Sequence, residues 1–593
     1  MPCKQNDMRE ILNNIQSLYL RKPVLFILLL SMLLTLPWIG IGDFYTKGEP
    51  REASLAVSML QHGYWVLPVG YADEIGFKPP LMHWIVAGFS MITGKVSEAT
   101  SRLPSALGLI GMTVFTLIFL LRRKSKMEAI LSALILLSGF EMHRSGLECR
   151  VDMTLAFFMS MALMEMYRWE EKQLKGFPIL LVLLLSCASL VKGPIGIVLP
   201  CLVFGVYLVI RKYSFWKALG KNALVAVPAL MILFIWYYMA YLQDGQRFIN
   251  IAFAENIGRF LGMKREQLGI DYSLGHDGPF WYYIPAILTG FLPWSLVLVF
   301  AAFTFGYKNW WNKFRTSESS WFKRLAEMDK MTLFSSLVVI LFICFYAIPS
   351  SKRSVYILPA YPFAAFLLAK VFLWAEEKKP FLFIILGKIV GVIAALLLVL
   401  SCAAHFNNLS EITTLIPLDA KTTNDVGLFA DYFLNPGWLG YLLWLFLLVV
   451  FLLFTGWIRT KNVRTLIFGI FTLFISTQIF LEGTLYPTFK NGNSLQPVAR
   501  EFQAAYNIKD KTYVMNNLKL YASIYGLNYY MDNNFKNFEL FLPSDGYLII
   551  GKKGISLIRE KYTGKYDFIV LRQTKKRYNE FNDEILLCKI VKI

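Results

Sequence analysis

Long apolar runs separated by short polar breaks fill the chain up to about residue 480. A run of about 20 apolar residues can cross the hydrocarbon core of a membrane, which is about 30 Å thick. We count about thirteen such runs, which predicts about thirteen transmembrane helices and places the two chain ends on opposite sides. The runs are 23–41, 101–121, 127–142, 152–167, 177–191, 195–211, 222–242, 281–304, 331–349, 355–374, 380–403, 436–457 and 463–480.

The basic residues between the runs predict the orientation. Every second break is rich in Lys and Arg, and such breaks usually face the cytoplasm. The apolar run from Leu81 to Ile92 is shorter than a span, and counting it as a crossing would move the basic cluster Arg122 to Lys126 to the outer side. We therefore interpret this run as a re-entrant or interfacial helix.

The composition changes after about residue 481, where short β-type runs alternate with polar helical stretches such as Ser494 to Tyr506. This pattern predicts a small soluble α/β domain. The expected fold class is therefore an all-α polytopic membrane protein with a small C-terminal α/β domain. The predicted segments are a cytoplasmic N-terminus (1–22), a transmembrane domain (23–480) with a first outer loop (42–100), and an outer soluble domain (481–593).

The composition supports the membrane assignment. Hydrophobic residues make up 56% of the 593 residues and charged residues only 17%, which excludes an ordinary water-soluble globule. The net charge of +20 would suit a nucleic-acid-binding protein, but much of the excess lies in the breaks between spans and follows from topology, so no nucleic-acid partner is predicted. The cysteines show no CxxC spacing, so we predict neither a disulfide framework nor a zinc site.

The first outer loop contains the stretch DFYTKGEPREASLAVSMLQHGYWVLPVGYADEIGFKPP, residues 43 to 80, with charges placed between two apolar segments. Glu49 stands at the start of an amphipathic helix pattern, two residues before Arg51, where it either complements the helix dipole or takes part in chemistry. Lys78 precedes two prolines that hold an extended backbone. Its ammonium either binds a phosphate as a point charge or lies at the membrane interface.

Further polar residues lie in the other outer breaks. Asp152 opens the fourth span, where a carboxylate is energetically costly. It therefore either forms an ion pair, with Arg150 as the candidate partner, or has a function. Lys192 lies in a Gly-Pro turn between two spans. It either has a function there or is simply a charged residue in a turn. Lys352 and Arg353 occupy a tight outer turn where positive charge is disfavoured, which suggests an anionic partner. Together these groups predict a site for a lipid-linked phosphate with a carboxylate base.

Several motifs follow one another in a specific order: GEPREASLAVSMLQHGYWVLP, FKPPLMHW, SRLPSAL, VDM, VKGP, ENIGRF, GPFWYYIP, LPW and IPSSKRSVYILPAYP. They resemble the bacterial aminoarabinose transferase (ArnT) and protein O-mannosyltransferase-like family, integral-membrane glycosyltransferases of the GT-C fold. The resemblance covers about residues 23 to 374 by motif and the whole chain by architecture. It implies a polyprenyl-phosphate sugar as donor, a reaction on the outer face, thirteen spans and a C-terminal periplasmic domain.

The resemblance also implies roles for acidic residues. The family's Asp-Glu-x-Arg motif falls on Gly48 to Arg51, so its first acid is absent, and either Glu49 or Asp43 would take the acidic role. The second aspartate of the family matches Asp152. The catalytic candidates are therefore Glu49, Asp152 and Asp43.

The same comparison bears on metal and phosphate binding. The lysine of the family's Glu-Lys-Pro motif matches Lys78, but Phe77 replaces the glutamate, and Asn256 replaces a histidine that has been linked to a bound metal in the relatives. We therefore predict no metal at this place, and no cofactor. The candidate ligands of the lipid phosphate are Arg51, Lys78, Lys192, Arg259, Lys352, Arg353 and Tyr356, of which Arg259 and Tyr356 are assigned by resemblance.

The resulting hypothesis is an inverting glycosyltransferase that moves a hexose or pentose from an undecaprenyl-phosphate donor to lipid A, another glycan or a protein. The reaction would take place at the periplasmic face of the bacterial inner (plasma) membrane. A transporter or flippase for lipid-linked sugars is an alternative, although transporters tend to have repeats and midplane sites. A non-catalytic envelope assembly factor is another, because Gly48, Phe77 and Asn256 replace family residues.

Overall fold

The computed structural model is mostly helical, and its described residues include one small β-sheet near the C-terminal end. It describes residues 21–258, 261, 263, 277–304, 325, 327–406, 420–459, 462–506, 508, 511–515, 524–574 and 583–593. Among the predicted site residues, Arg259 lies outside this described part.

The first series of helices runs from the N-terminal side to the end of the longest helix. Its members are α1 (Pro23–Thr35), α2 (Gly48–His62), α3 (Leu81–Thr93), α4 (Glu98–Leu121), α5 (Lys126–Ser138), α6 (Phe140–Gly146), α7 (Val151–Glu171), α8 (Ile179–Lys192), α9 (Ile195–Ile210) and α10 (Phe215–Phe253). A π-helical turn, Ala254–Gly258, continues α10.

The second series leads to the C-terminal sheet. It comprises α11 (Tyr283–Gly290), α12 (Ser295–Thr304), α13 (Lys330–Ala347), the 3₁₀ segment Ser354–Ala360, α14 (Tyr361–Lys378), α15 (Phe381–Phe406), α16 (Ala420–Leu434), α17 (Gly437–Trp457), α18 (Val463–Gly483), α19 (Leu485–Gly492) and α20 (Gln496–Ala505). The remaining elements are β1 (Thr512–Val514), α21 (Tyr525–Tyr530), β2 (Lys536–Asn537), α22 (Phe538–Phe541), β3 (Asp545–Gly551), α23 (Ile555–Lys561), β4 (Tyr566–Gln573) and β5 (Ile585–Lys592).

The helices of the first outer loop are delimited by local sequence. Gly63 and Gly94 adopt left-handed φ angles of 71° and 83° directly after α2 and α3, a conformation that glycine accepts without strain. Ser97 then starts α4, because its hydroxyl accepts a hydrogen bond from the Thr100 N–H at 3.2 Å in a capping box. The tight turn from Gly94 to Ser97 lets α2, α3 and α4 pack against one another.

Each of the thirteen apolar runs predicted as spans overlaps a helix of the structure. Within the described residues, seven helices are long and apolar enough to cross a membrane, and α11 with α12, bent by 114°, makes an eighth if the pair is one span. The chain is therefore a multi-pass membrane protein, while the count of thirteen stays a prediction. With 13 residues, α3 rises only about 20 Å, less than the hydrocarbon thickness.

The C-terminal part forms a five-stranded sheet with the order β2-β1-β3-β5-β4. Strand β1 pairs in parallel with β2 and β3, whereas β5 is antiparallel to both β3 and β4, with Leu548 opposite Cys588. Its apolar residues form two buried clusters, one on each side of the central strand β3, with Ile549 in one cluster and Leu548 in the other. The expected small α/β domain is therefore present.

This sheet domain rests on the first outer loop. The hydroxyl of Tyr525 donates to Glu74 Oε2 at 2.6 Å, and that of Tyr530 donates to Glu98 Oε1 at 2.8 Å. The Asn533 side chain donates to the backbone oxygen of Ser54 in α2 at 3.3 Å. The domain thereby holds the loop against the helical part, beside the site described next.

Candidate functional site

A cavity of about 160 Å³ lies where the first outer loop meets the turn after α8, the π-turn after α10 and the segment after α13. Its polar lining consists of two lysines, two tyrosines, a carboxylate, an amide and a hydroxyl. These residues are Lys78, Lys192, Tyr346, Tyr356, Glu255, Asn256 and Ser351. The fold thus brings Lys78, Lys192 and Tyr356, three of the residues predicted to bind a phosphate, to one space.

Lys192 is held between a carboxylate and an aromatic ring. It is the last residue of α8, and its ammonium forms an ion pair with Asp152 Oδ1 and lies 4.4 Å from the centre of the Tyr356 ring. Asp152, near the start of α7, is only 7% exposed, so the pair neutralises a charge that would otherwise be buried alone. The turn that follows, at Gly193, has a φ of 81° and brings the chain beside Asn256.

Lys78 is held in a similar way by Glu52, a residue that the sequence analysis did not select. Glu52 lies on α2, is 7% exposed, and contacts the Lys78 ammonium through Oε1 and the Nε2 atom of His83 through Oε2 at 2.8 Å. Burial acts to raise the pKa of Glu52, but Lys78 and His83 outweigh it and hold the pKa well below its ordinary value. Glu52 is therefore an anion fixed behind the cavity lysine.

Glu49, a predicted catalytic base, does not lie where a base is expected. Its carboxylate accepts from the Arg102 Nε at 2.7 Å and from the Cys149 N–H at 3.0 Å, and it is 2% exposed. Burial raises its pKa, yet the Arg102 guanidinium lowers it further, so the net pKa lies below its ordinary value. Glu49 does not line the cavity. A direct catalytic role of Glu49 stays a prediction, which this buried ion pair does not favour.

Arg51 forms an ion pair with Glu74 at 2.9 Å and lies over the rings of Phe77 and Tyr525 at 5.6 and 5.8 Å. Glu74 raises the pKa of Arg51 above its ordinary value. Arg51 does not line the cavity of Lys78 and Lys192, but a small neighbouring space lined also by Glu52. Its assignment as a phosphate ligand stays a prediction.

The proposed pair between Arg150 and Asp152 is wrong. The Arg150 Nε lies 3.3 Å from Glu148 Oε2, while Asp152 pairs with Lys192. The Arg150 guanidinium packs over Gly48, where a Cβ atom would overlap it. The Arg150 guanidinium thus occupies the space that a side chain at position 48 would enter.

Asp43 lies away from the cavity. Its side chain forms a hydrogen bond with Ser494, its backbone oxygen accepts from Arg102 at 3.1 Å, and burial raises its pKa. The backbone N–H of Asp43 donates to Asn491 at 2.8 Å. Asp43 therefore joins the first outer loop to the start of the C-terminal domain, and its role as a reserve base stays a prediction.

The two basic residues of the tight outer turn do not line the cavity, although Ser351 beside them does. Lys352 is 4% exposed, and its ammonium donates to the backbone oxygens of Ala347, at 2.9 Å, and Pro349. The Arg353 N–H donates to the Tyr283 hydroxyl at 3.3 Å. Lys352 therefore stabilises the end of α13, because it donates hydrogen bonds to backbone oxygens that no following helical turn can pair with.

Asn256 stands in the π-turn at the cavity wall, where its Nδ2 donates to the Ala252 oxygen at 2.8 Å and to the Tyr237 hydroxyl at 3.4 Å. Within the described residues, no group of three or more His, Cys, Asp or Glu side chains could hold a metal ion. An amide that already donates to the protein is a poor substitute for an imidazole ligand. The predicted absence of a metal stays a prediction.

A solved structure shares the whole architecture. The crystal structure of ArnT from Cupriavidus metallidurans bound to undecaprenyl phosphate matches with a TM-score of 0.67 and 17% identity, over 95% of this chain and 97% of that chain. The chain therefore has the GT-C fold that the sequence analysis predicted. At this identity the structural likeness shows the fold alone.

Sequence relatives agree with this GT-C assignment. The family model of dolichyl-phosphate-mannose-protein mannosyltransferase matches residues 77–238, which include Lys78, Asp152 and Lys192. An "Uncharacterized protein" of Aquifex aeolicus (strain VF5) is 30% identical over 364 residues, 60% of this chain and 65% of that protein. An undecaprenyl phosphate-alpha-4-amino-4-deoxy-L-arabinose arabinosyl transferase of Wigglesworthia glossinidia brevipalpis is 25% identical over 345 residues, 56% and 55% of the two chains. The matches thus span about half to two thirds of these relatives, and the resemblance read from the motifs is confirmed.

Sequence reasoning missed three residues that organise the candidate site: Glu52, His83 and Arg102. Two of them left a signal. Arg102 stands at the head of an apolar span, where an arginine needs a partner. Glu52 follows Glu49 by three positions and therefore lies on a neighbouring part of the same helix face. No signal in the sequence indicates that His83 contacts Glu52, because that contact depends on how α2 and α3 pack.

Proposed function

We propose that this chain transfers a sugar from an undecaprenyl-phosphate carrier to an acceptor, with inversion at the anomeric carbon. The names of the relatives support a polyprenyl-phosphate sugar as donor and a glycosyl transfer as reaction. The periplasmic face of the bacterial inner membrane is the proposed location, because the site lies at the ends of the helices opposite to the basic breaks. The C-terminal domain, residues 481–593, is then periplasmic.

One observation carries this proposal: two lysines face the same cavity, and each is backed by a buried carboxylate. An ammonium in such a cavity binds a phosphate as a point charge. The ring of Tyr356 lies against Lys192 and presents a further polar group to the same space. Arg259 lies outside the described residues and stays a predicted phosphate ligand.

Asp152 is the proposed base. An acceptor hydroxyl or amine would attack the anomeric carbon and form the new glycosidic bond, while its proton passes to the Asp152 carboxylate. The bond between the anomeric carbon and the phosphate oxygen breaks, and its electron pair stays on the phosphate. Lys78 and Lys192 would offset the charge that grows on the leaving phosphate. This scheme uses two cations that line the cavity and a carboxylate that contacts one of them, Lys192.

The proposal leaves the sugar and the acceptor to experiment. Lipid A, another envelope glycan and a protein are all consistent with a nucleophile that Asp152 deprotonates. Mass spectrometry of lipid A, glycans and envelope proteins from cells with and without the gene would identify both at once. We expect one class of molecule to lose the mass of a single sugar when the gene is absent.

The same measurement tests the base. Cells that carry Asp152→Asn should lack the modification, because an amide accepts no proton, while the purified variant should still bind undecaprenyl phosphate. The matched control is Asp545→Asn, which removes an exposed carboxylate paired with Lys511 in the sheet domain. Full modification in the Asp152→Asn cells would remove Asp152 from the reaction, and an unchanged envelope without the gene would contradict the proposed transfer.

A further inference from the structure

The ion pair between Glu52 and Lys78 is arranged so that its two members face different environments. The Lys78 side chain is 24% exposed and lines the cavity, whereas the Glu52 side chain is 9% exposed and lies behind it. The carboxylate therefore contacts the lysine from the protein side. The cavity side of the ammonium is left for a ligand.

His83 keeps the carboxylate in this position. Its Nε2 lies 2.8 Å from Glu52 Oε2, and its ring is 1% exposed. The other ring nitrogen, Nδ1, is buried and has no hydrogen-bond partner among the described residues. Because the Glu52 carboxylate can only accept, Nε2 carries the proton of this hydrogen bond. Since both oxygens of Glu52 are engaged, its carboxylate cannot turn away when a ligand enters.

A fixed anion behind the lysine has a consequence for any phosphate bound in front of it. The ammonium separates the two anions by little more than its own diameter, and like charges at such distances repel strongly inside a protein. Lys78 therefore attracts the phosphate while Glu52 repels it. The repulsion is greatest for the phosphate with the most charge, which in the proposed reaction is the lipid phosphate left after transfer.

We propose that Glu52 is a fixed counter-ion that weakens the hold of Lys78 on the lipid phosphate and thereby speeds release of the spent carrier. This inference rests on the proposed function and extends it to the residue that controls product release. Glu52 acts through Lys78 and touches no reacting atom, so it is a positioning residue. Asp152, which contacts Lys192, has a different role from Glu52. As the proposed base, Asp152 must reach the acceptor.

The test is equilibrium binding and dissociation of undecaprenyl phosphate, measured on the purified full chain in detergent or nanodiscs. Glu52→Gln keeps an oxygen that can accept from Lys78 but removes the charge. It should bind about ten-fold more tightly and dissociate correspondingly more slowly, since the loss of one nearby charge has about this effect. Glu52→Asp keeps the charge and should stay within about three-fold of the wild-type affinity.

Glu170→Gln is the matched control. Glu170 is also a buried carboxylate on a helix of the site, at the other end of α7, where it lies 3.6 Å from Arg211. Its removal should leave the affinity for undecaprenyl phosphate unchanged. Unchanged or weaker binding of undecaprenyl phosphate by a folded Glu52→Gln variant would overturn the inference. Weaker binding would show that the carboxylate serves only to orient the lysine.

A second comparison keeps the inference testable if Glu52→Gln does not fold. Lys78→Met leaves Glu52 facing the cavity without its cation and should bind undecaprenyl phosphate more weakly than the double variant Lys78→Met with Glu52→Gln. Equal affinities of the two would overturn the counter-ion role. Absence of binding to the wild-type chain would overturn the proposed function as well, whereas wild-type binding without the expected effect of Glu52→Gln would overturn this inference alone.

Discussion

At the scale of single residues, four carboxylates near the cavity each have a cation of their own, but only some of these pairs reach the cavity. Lys78 and Lys192 line it, whereas Arg102 is fully buried beside Glu49. A buried pair of this kind is costly to break, because the remaining charge has no water to solvate it. The pairs are Glu49 with Arg102, Glu52 with Lys78, Asp152 with Lys192 and Glu74 with Arg51.

Arg102 should be among the residues most important for stability. Its guanidinium is 0% exposed, contacts Glu49 through two nitrogens and donates to the backbone oxygens of Ile39, Gly42 and Asp43. Arg102→Met leaves the Glu49 carboxylate buried without a cation and should lower the free energy of unfolding by about 3 to 5 kcal/mol. Thermal unfolding of the purified variant in detergent measures the effect.

The matched control is Arg464→Met, which breaks the pair with Glu376 in a side chain that is 62% exposed. Exposed pairs contribute about 0 to 1 kcal/mol, so this variant should unfold close to the wild-type temperature. Similar unfolding temperatures for the Arg102 and Arg464 variants would contradict a structural role of the buried pair. Such a result would make Glu49 a candidate base again.

At the scale of elements, the turn between α8 and α9 sets the position of Lys192. The motif VKGPIG predicted a turn here, and the structure shows α8 ending at Lys192 and α9 starting at Ile195. Gly196, in the first turn of α9, packs directly on the last turn of α8. A Cβ atom at Gly196 would lie 2.5 Å from the carbonyl carbon of Ala188, which is backbone and cannot move aside.

Gly196→Ala should therefore displace the end of α8. Overpacking of this kind costs about 1 to 3 kcal/mol, and the shift should also weaken binding of undecaprenyl phosphate, because Lys192 moves with the helix end. Thermal unfolding and lipid-phosphate binding are the two measurements. Gly220→Ala in α10, where a Cβ atom meets nothing within 4 Å, should leave binding unchanged and stabilise slightly. A fully stable Gly196→Ala with normal binding would contradict this account.

At the scale of the whole molecule, the C-terminal domain holds the first outer loop in place. Tyr530 is the clearest contact, because its hydroxyl donates to Glu98 at 2.8 Å and accepts from the Phe44 N–H at 2.9 Å. Tyr529 donates to the Val96 oxygen at 3.0 Å. The segment that leads into α2, the helix that carries Glu52, is thereby tied to a domain more than 400 residues further along the chain.

Tyr530→Phe should loosen this connection without removing the ring. The loss of two hydrogen bonds should cost about 1 to 3 kcal/mol and increase amide hydrogen exchange in residues 42–49, which hydrogen-exchange mass spectrometry can follow. Tyr547→Phe is the control, since no hydrogen bond joins its hydroxyl to another described residue, and exchange there should not change. Identical exchange in the two variants would mean that the domain does not stabilise the loop.

The sequence alone determined the membrane class, the helical runs, the small C-terminal sheet domain and three residues of the cavity. Apolar length, the bias of basic residues and the motif order are local properties of the chain, so they can be recognised without coordinates. The motifs around Lys78 and Lys192 were informative for the same reason, because each is a charge beside turn residues in an apolar context.

The tertiary structure decided which charges meet. It paired Arg150 with Glu148 where the sequence suggested Asp152, buried Glu49 against Arg102, and turned Lys352 towards backbone oxygens. The contacts of Glu49 join residues 53 and 100 positions apart, which only the packing of whole helices brings together. The pairing of Glu52 with Lys78 was decided in the same way, because only the packing of α2 beside α3 brings that carboxylate behind the lysine.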